Sequence, residues 1–234
     1  MKEYNRQSGF TLIEMAIVVL IIGALTASVV IGRTVVRNVR LKSVVSDVEY
    51  FGAITRTFKD TYSELPGDLE AAAVYWPDAT DLTNFPAANG NGDNRVDSEA
   101  GNREDLGAWQ HLVLAGMMQG TYTGTPDGAG INIGMNVPEA KISNGGYLIK
   151  YDGPIYGRTG NFIEFATEKG GLLEGPILSP GEAKSIDDKA DDGTASKGDL
   201  FATDGAGATG CISGGIYNLS NENISCRIFV GVGY

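Results

Sequence analysis

One carboxylate, Glu14, stands inside the most apolar stretch of the chain. Residues 10–32 contain no other ionisable side chain. A carboxylate in lipid costs about 2.5–3.5 kcal/mol on insertion scales, so it needs a partner. The first downstream cation is Arg33, 19 positions away and therefore about 28 Å along a helix. A cut between Gly9 and Phe10 would create an amine four residues from Glu14, able to pair with this carboxylate in the same helix or in a neighbouring copy.

A glycine-rich segment over residues 89–99 carries oxygen atoms at nearly every second position. Such spacing suits a hard cation such as calcium, which prefers oxygen ligands. The candidate ligands are Asn89, Asn91, Asp93, Asp97 and Glu99. Arg95 could add its main-chain carbonyl. The match to an EF-hand loop is incomplete, because Asn94 replaces the turn glycine and Ala100 stands where a bidentate acid belongs. A solvated loop without metal is the alternative.

Catalytic chemistry has little support in the composition. His111 is the only histidine, and its place beside Trp109 and Leu112 favours a structural or surface role. Acidic residues are plentiful, but the sequence alone pairs none of them as an acid/base couple. The net charge of −11, from 18 Lys+Arg and 29 Asp+Glu, argues against a surface that binds nucleic-acid phosphates. We therefore expect a protein that is not an enzyme and has no nucleic-acid partner.

The apolar residues 10–32 are long enough to cross a bilayer. A helix of these 23 residues spans about 35 Å, against about 30 Å for a hydrocarbon core. The preceding residues 1–9 are polar, with Lys2 and Arg6 against Glu3, which favours a cytoplasmic N-terminus. A cleaved secretory signal is the alternative, but its apolar part is shorter, about 7–15 residues. We predict a single-pass membrane segment.

The helix is predicted to continue beyond the membrane. No proline occurs before Pro66, and apolar residues recur at spacings of three or four. They are Leu41, Val44, Val48, Phe51, Ile54, Phe58 and Tyr62. This stripe predicts an amphipathic helix that packs on a sheet. We predict one helix over residues 10–61. A membrane anchor joined to a separate domain is the alternative, although no Gly/Ser/Pro-rich linker follows the apolar run.

The remaining chain mixes helix and strand signals. A helix is predicted over residues 104–118, and another over residues 181–189, where Ser179 and Glu182 form a capping box. Strands are predicted over residues 147–151, 161–167, 215–219 and 225–232. A long helix followed by antiparallel strands is an α+β order.

The two cysteines, Cys211 and Cys226, lie near the C-terminus. In an oxidising compartment they can form a disulfide. A bridge that closes about 16 residues stabilises by about 3 kcal/mol in the entropic account. Two free buried thiols are the alternative.

Residues 8–14 resemble the cleavage and methylation signature of type IV prepilins and type II secretion pseudopilins. The match includes Gly9 before the cut, Phe10 after it and Glu14 at the fifth position of the new chain. The resemblance implies that a membrane prepilin peptidase cuts after Gly9 and that the Phe10 amine becomes methylated. It also implies that Glu14 docks the subunit into a helical filament. The implied architecture is the pilin fold, with a long N-terminal helix on an antiparallel sheet and a disulfide-bounded C-terminal loop.

These observations define an expected organisation. It comprises a leader peptide (1–9), a transmembrane and filament-core half-helix (10–32), an amphipathic half-helix (33–62) and a globular α+β head (63–234). The resemblance also draws attention to the acidic residues 187–192, because major pseudopilins carry calcium in their C-terminal half. A solvated turn is the alternative there.

The expected function is that of a structural subunit of a type IV pilus or pilus-like filament. Its partners would be copies of itself or homologous pilins, the prepilin peptidase and the inner-membrane assembly platform. It would sit in the inner membrane before assembly and in a cell-surface or periplasmic filament afterwards. A pseudopilin of a type II secretion system, a membrane-anchored adhesin or binding protein, and a secreted hydrolase are the alternatives.

Overall fold

The computed structural model describes residues 9–80, 86–99, 102–126, 130–142 and 144–232. The side chains of Val30, Glu99 and Asn102 lie outside this description. The chain divides into two compact units, Met1–Arg40 and Leu41–Tyr234. The leader predicted over residues 1–9 falls outside the described residues except for Gly9.

Helix α1 runs from Leu12 to Tyr62, so the long helix predicted from the sequence is confirmed. Within Leu41–Tyr234, its apolar stripe lies in the core. The fully buried members are Leu41, Val44, Val48, Phe51 and Phe58. Ile54 and Tyr62 are half-buried and pack against the same core. The helix ends at Tyr62, because the next residue, Ser63, takes a positive φ of 66°, shortly before Pro66.

Three shorter helices and nine strands follow in the described residues. The helices are α2 (Ala72–Tyr75), α3 (Glu104–Leu114) and α4 (Pro180–Ala190). The strands are β1 (Ser98–Glu99), β2 (Asn102–Arg103), β3 (Gly145–Ile155), β4 (Arg158–Lys169), β5 (Leu172–Gly175), β6 (Leu200–Asp204), β7 (Ile212–Ser213), β8 (Ile216–Tyr217) and β9 (Cys226–Gly231). The capping box that opens α4 is formed as predicted.

The main sheet is antiparallel and has the strand order β3-β4-β9-β6, with β5 paired to β4. The central hairpin places Tyr147 opposite Phe165. Its turn residues, Tyr156 and Gly157, have φ angles of 49° and 76°, which is the combination that a tight type I′ hairpin turn requires. The predicted α+β class is confirmed.

The core joins α1 to α3 and to the sheet through aromatic side chains. The ring of Phe51 lies 4.9 Å from that of Trp109 and 5.0 Å from that of Tyr147, both edge-on. Such edge-on aromatic pairs add about 0.5–1.5 kcal/mol beyond the area they bury. The head therefore includes the second part of α1 as one of its own layers.

Some predicted elements differ from the observed ones. Helix α3 ends at Leu114 and not at residue 118, because Gly116 adopts a positive φ of 70° that closes a helix. The strand predicted over residues 215–219 is only the two-residue β8, which pairs with β7 outside the main sheet. The strands that were not predicted are β1, β2, β5, β6 and β7.

Candidate processing site and cation loops

The predicted cleavage site lies directly before the first helix. Gly9, Phe10 and Thr11 have non-helical backbone, and α1 begins at Leu12. Gly9 is exposed and the Phe10 side chain is 80% exposed. A Cβ added to Gly9 would meet no atom within 4 Å, and its φ lies outside the left-handed region. The fold of the chain therefore does not require glycine at position 9. A peptidase that binds the Gly9–Phe10 peptide bond could require it.

Glu14 caps its own helix. Its Oε2 accepts hydrogen bonds from the main-chain N–H of Thr11 at 2.7 Å and from the Thr11 hydroxyl at 2.8 Å. In return, the Glu14 N–H donates to Thr11 Oγ1 at 3.3 Å. This is a reciprocal capping box. This capping box was not predicted, although its signal, a threonine three residues before a glutamate, is present in the sequence. Among the described residues, the Glu14 carboxylate thus has hydrogen-bond donors from Thr11.

Over residues 15–29, the apolar side chains of α1 are exposed. An 18-residue window of this helix has a mean hydropathy of 2.6, and none of it is buried. Its polar side chains bond within the helix: the Thr26 hydroxyl donates to the Ile22 carbonyl at 3.0 Å and the Ser28 hydroxyl to the Ala24 carbonyl at 2.9 Å. A helix in lipid must satisfy its polar groups internally. By length and composition, this segment can cross a membrane.

Three of the five candidate calcium ligands lie in one compact turn. Asn91 Oδ1 accepts from the Asp93 N–H at 3.0 Å, and Asp93 Oδ1 accepts from the Arg95 N–H at 2.9 Å. Asn91 Nδ2 donates to Asp97 Oδ2 at 3.3 Å. Asn94 adopts a φ of 65°, so it takes the left-handed conformation that glycine usually supplies at this point of a calcium loop.

The other two candidate ligands are not in this turn. Asn89 Oδ1 accepts a hydrogen bond from the main-chain N–H of Ala73 at 2.8 Å, which holds this side chain against the start of α2. The side chain of Glu99 lies outside the described residues. Of the five candidate ligands, those that the structure places in this turn are therefore Asn91, Asp93 and Asp97.

Two buried carboxylates that the sequence analysis did not select, Asp68 and Glu104, bind the same loop. Asp68 accepts hydrogen bonds from two main-chain N–H groups of the loop, at 3.0 and 2.9 Å. Glu104 accepts from two more, both at 2.9 Å. Burial and the negative charge of Glu104 raise the pKa of Asp68 to about 7, against the effect of its hydrogen bonds. The loop thus gathers carboxylate oxygens, the donor set that calcium prefers.

The acidic residues after α4 form a second group. One carboxylate oxygen from each of Asp187, Asp191 and Asp192 lies within 4.8 Å of the others. Asp187 is buried; it accepts hydrogen bonds from the Tyr217 hydroxyl at 2.7 Å and from the Gly193 N–H at 3.0 Å. Burial raises the pKa of Asp187. Through these hydrogen bonds, the Asp187 side chain joins the turn after α4 to β8, which is a structural role.

His111 is a structural residue of the core. The ring is buried, and its Nδ1 accepts a hydrogen bond from the Gly67 N–H at 2.9 Å. Its Nε2 lies 2.6 Å from the Ala88 carbonyl and donates to it in the neutral tautomer. Burial lowers the pKa of His111 to about 4. Because both ring nitrogens are bonded to main chain, the side chain joins α3 to two loops.

Cys211 and Cys226 form the disulfide considered in the sequence analysis, with their Cα atoms 5.0 Å apart. Both cysteines are buried. The loop between them exposes three apolar side chains, those of Ile216, Leu219 and Ile224. The disulfide therefore joins the two ends of a C-terminal loop that exposes apolar side chains.

Comparison with known protein families agrees with the N-terminal geometry. A family model described as the prokaryotic N-terminal methylation motif matches residues 4–30. This motif is the signature of type IV pilins and pseudopilins. No curated protein and no solved structure matches the chain. The motif and the long apolar helix support a type IV pilin-like or pseudopilin protein that is anchored in a membrane before assembly.

Proposed function

We propose that the chain is the structural subunit of a type IV pilus or pilus-like filament, made as a precursor and cut after Gly9. The observation that carries this proposal is the junction at residues 9–12. An exposed, non-helical peptide bond stands immediately before an apolar helix, within the methylation motif. The proposal assigns no catalytic activity to the chain.

The exposed side chains of α1 explain why such a subunit assembles. Leu12, Leu20 and Leu25 are between 61% and 91% exposed, which no water-facing surface of this extent would sustain. Lipid can cover them before assembly, and identical helices can cover them in a filament. Because lipid tails are as apolar as leucine, moving these side chains from lipid to protein gains no hydrophobic free energy. Close packing between the helices drives association instead.

Cleavage would give Glu14 a new partner. In the uncut chain, Thr11 supplies both donors to its carboxylate. Removal of residues 1–9 would place an amine on Phe10, four positions from Glu14, and methylation of that amine keeps its positive charge. In a low-dielectric helix bundle, an ion pair of this kind is far stronger than in water. We therefore assign Gly9 and Phe10 to processing and Glu14 to subunit docking.

Processing is tested with Gly9→Leu in cells that also express a prepilin peptidase. The expected result is a chain that keeps residues 1–9, while the wild type loses them and gains one methyl group, both read by mass spectrometry. Gly181→Leu is the matched control, since Gly181 is also exposed and a Cβ there also meets no atom within 4 Å. Normal processing of Gly9→Leu would refute the assigned cut.

The kind of filament is tested by shearing. A pilus subunit is expected in the fibres sheared from the cell surface, together with copies of itself or homologous pilins. A pseudopilin of a type II secretion system is expected to stay in the periplasm with the inner-membrane assembly platform. A membrane-anchored adhesin is expected to stay in the membrane fraction and to form no fibres, and that result would overturn the filament proposal.

We also propose that the loop over residues 89–99 binds calcium. The oxygen atoms of Asn91, Asp93 and Asp97 support it, together with the buried carboxylates of Asp68 and Glu104 that hold the same loop. Calcium there would tie α3 to the segment that follows α1. Asn89 and Glu99 remain candidate ligands from the sequence.

A further inference from the structure

We propose that Arg33, Arg37 and Arg40 bind the phosphate groups of anionic phospholipids at the outer surface of the membrane that holds the unassembled subunit. The inference rests on the proposed function, which places residues 10–32 in that membrane. It adds a lipid partner and a second attachment point to a subunit otherwise held by its apolar helix.

The position of the three arginines along α1 matches the headgroup region. Arg33 follows Glu14 by 19 residues, about 28 Å of helix, close to the thickness of a hydrocarbon core of about 30 Å. Arg40 lies seven residues further, about 10 Å along the axis. The three guanidinium groups therefore begin where the hydrocarbon ends and extend through the layer of phosphates.

The three side chains share one face of the helix and surround an open groove. The groove has a volume of about 480 Å³ and is lined by Val29, Gly32, Arg33, Val36, Arg37 and Arg40. Gly32 is one of the lining residues, and a Cβ added there would meet no atom within 4 Å. A planar guanidinium matches two phosphate oxygens at once, while valine side chains suit the glycerol and upper acyl region. The groove thus offers both chemistries of a phospholipid.

The distribution of Lys and Arg on the two flanks of the apolar run favours lipid phosphates as the partners of the three arginines. Lys and Arg normally remain on the cytoplasmic side of a membrane helix. Here the flank beyond the apolar run carries four of them, including Lys42, and the flank before it carries only Lys2 and Arg6. The disulfide in the head requires an oxidising compartment. The flank with more Lys and Arg therefore lies on the side of the membrane away from the cytoplasm. The charge bias alone would favour the opposite orientation, so the disulfide decides it. At the level of these arginines, the anions that the outer leaflet offers are lipid phosphates.

The unit that follows the three arginines carries a strong negative net charge. The unit Leu41–Tyr234 contains 13 Lys+Arg and 27 Asp+Glu, a net charge of −14. An anionic membrane surface repels a unit of this net charge, whereas it attracts the three arginines of the groove. The complementary occupant is therefore an anionic headgroup.

The inference is tested on the full chain by native mass spectrometry of the lipids it retains from mixed micelles of phosphatidylglycerol and phosphatidylcholine. The wild type is expected to retain the anionic lipid preferentially, by about fivefold for each arginine engaged. The variant Arg33→Gln/Arg37→Gln/Arg40→Gln is expected to lose the preference. The matched control, Lys184→Gln/Lys189→Gln/Lys197→Gln, removes as many charges from the head and is expected to keep it.

Two outcomes would overturn the inference: equal retention of the two lipids by the wild type, and an unchanged preference in the arginine variant. If a variant with unchanged preference also loses self-association in phosphatidylcholine alone, the arginines belong instead to an interface with a second copy of the chain. A chain that is cut after Gly9 and recovered in fibres but shows no lipid preference refutes only this inference. A chain that is neither cut nor membrane-bound refutes the proposed function.

Discussion

The hydroxyl of Tyr147 on β3 donates a hydrogen bond to Asp47 Oδ2 on α1, 2.9 Å away. Tyr147 is fully buried, and its ring also packs edge-on against Phe51. Burial and the nearby Asp47 carboxylate raise the pKa of Tyr147, so the hydroxyl stays protonated and remains a donor. This one side chain therefore fixes α1 to the sheet by both a polar and an aromatic contact.

Removing the hydroxyl should weaken this attachment. Tyr147→Phe is expected to lower the free energy of unfolding by about 1–2 kcal/mol, because Asp47 loses a donor while the ring still packs. Denaturant unfolding of the full chain in detergent, followed by the fluorescence of its two tryptophans, measures the loss. Tyr75→Phe, whose side chain is 55% exposed, is the control and should change little. Equal losses in both variants would contradict the assigned role.

Two substitutions separate the capping role of Glu14 from its charge. Glu14→Gln keeps a residue that can close a capping box but removes the charge, so cleavage should be normal and fibre yield should fall by about tenfold or more, equivalent to about 1.4 kcal/mol. Thr11→Ala removes the cap and keeps the charge, so fibre yield should change less. Yield is measured from sheared fibres relative to the membrane-bound precursor. A greater loss in Thr11→Ala than in Glu14→Gln would show that capping, and not charge, matters for assembly.

Acid should destabilise the head through His111. Burial lowers the pKa of His111 to about 4 in the folded chain, against about 6.5 for an unperturbed histidine. The unfolded chain therefore binds the proton first, and stability present above about pH 6.5 is lost as the pH falls toward 4. The loss approaches about 3 kcal/mol at the acid end.

The His111→Gln variant isolates this contribution to the pH dependence. Denaturant unfolding at several pH values should show a steeper decline for the wild type between pH 6.5 and 4, even though the variant is less stable at neutral pH. Parallel profiles for the two proteins would contradict the expected titration of His111.

Calcium should stabilise the head through the loop over residues 89–99. A ligand at 100 times its Kd stabilises the folded state by about 2.7 kcal/mol, so calcium should raise the midpoint of thermal unfolding and a chelator should reverse the rise. Asp93→Asn should abolish most of this shift. Asp60→Asn, at an exposed position of α1, removes the same charge and should preserve it. A shift that survives Asp93→Asn would assign calcium to another place, such as the aspartates after α4.

The features that could be read from the sequence are those encoded locally. The periodic stripe of α1 and the capping box of Ser179 and Glu182 depend on residues a few positions apart, and both are present in the structure. The end of α3 was misplaced, although Gly116 is a local signal for it. A glycine inside an apolar periodicity is a weaker signal than the periodicity itself until its φ is known.

The features that were missed depend on contacts between distant parts of the chain. Strand β6 is defined by pairing with β9, which lies more than twenty residues later. Asp68 and Glu104 reach the loop over residues 89–99 from either side, and no spacing in the sequence brings them together. Nothing local distinguishes a buried carboxylate that accepts main-chain N–H groups from a solvated one.

The start of α1 has a consequence for the trimmed molecule. Main-chain dipoles give the first turn of a helix a partial positive charge. A cut after Gly9 would add an ammonium group at this same pole, where like signs oppose each other. Glu14 is the one acidic side chain in that turn, and it already serves Thr11. In the proposed filament, the carboxylate of an adjacent copy would therefore add a second negative charge beside the matured terminus, which a subunit alone in lipid would lack.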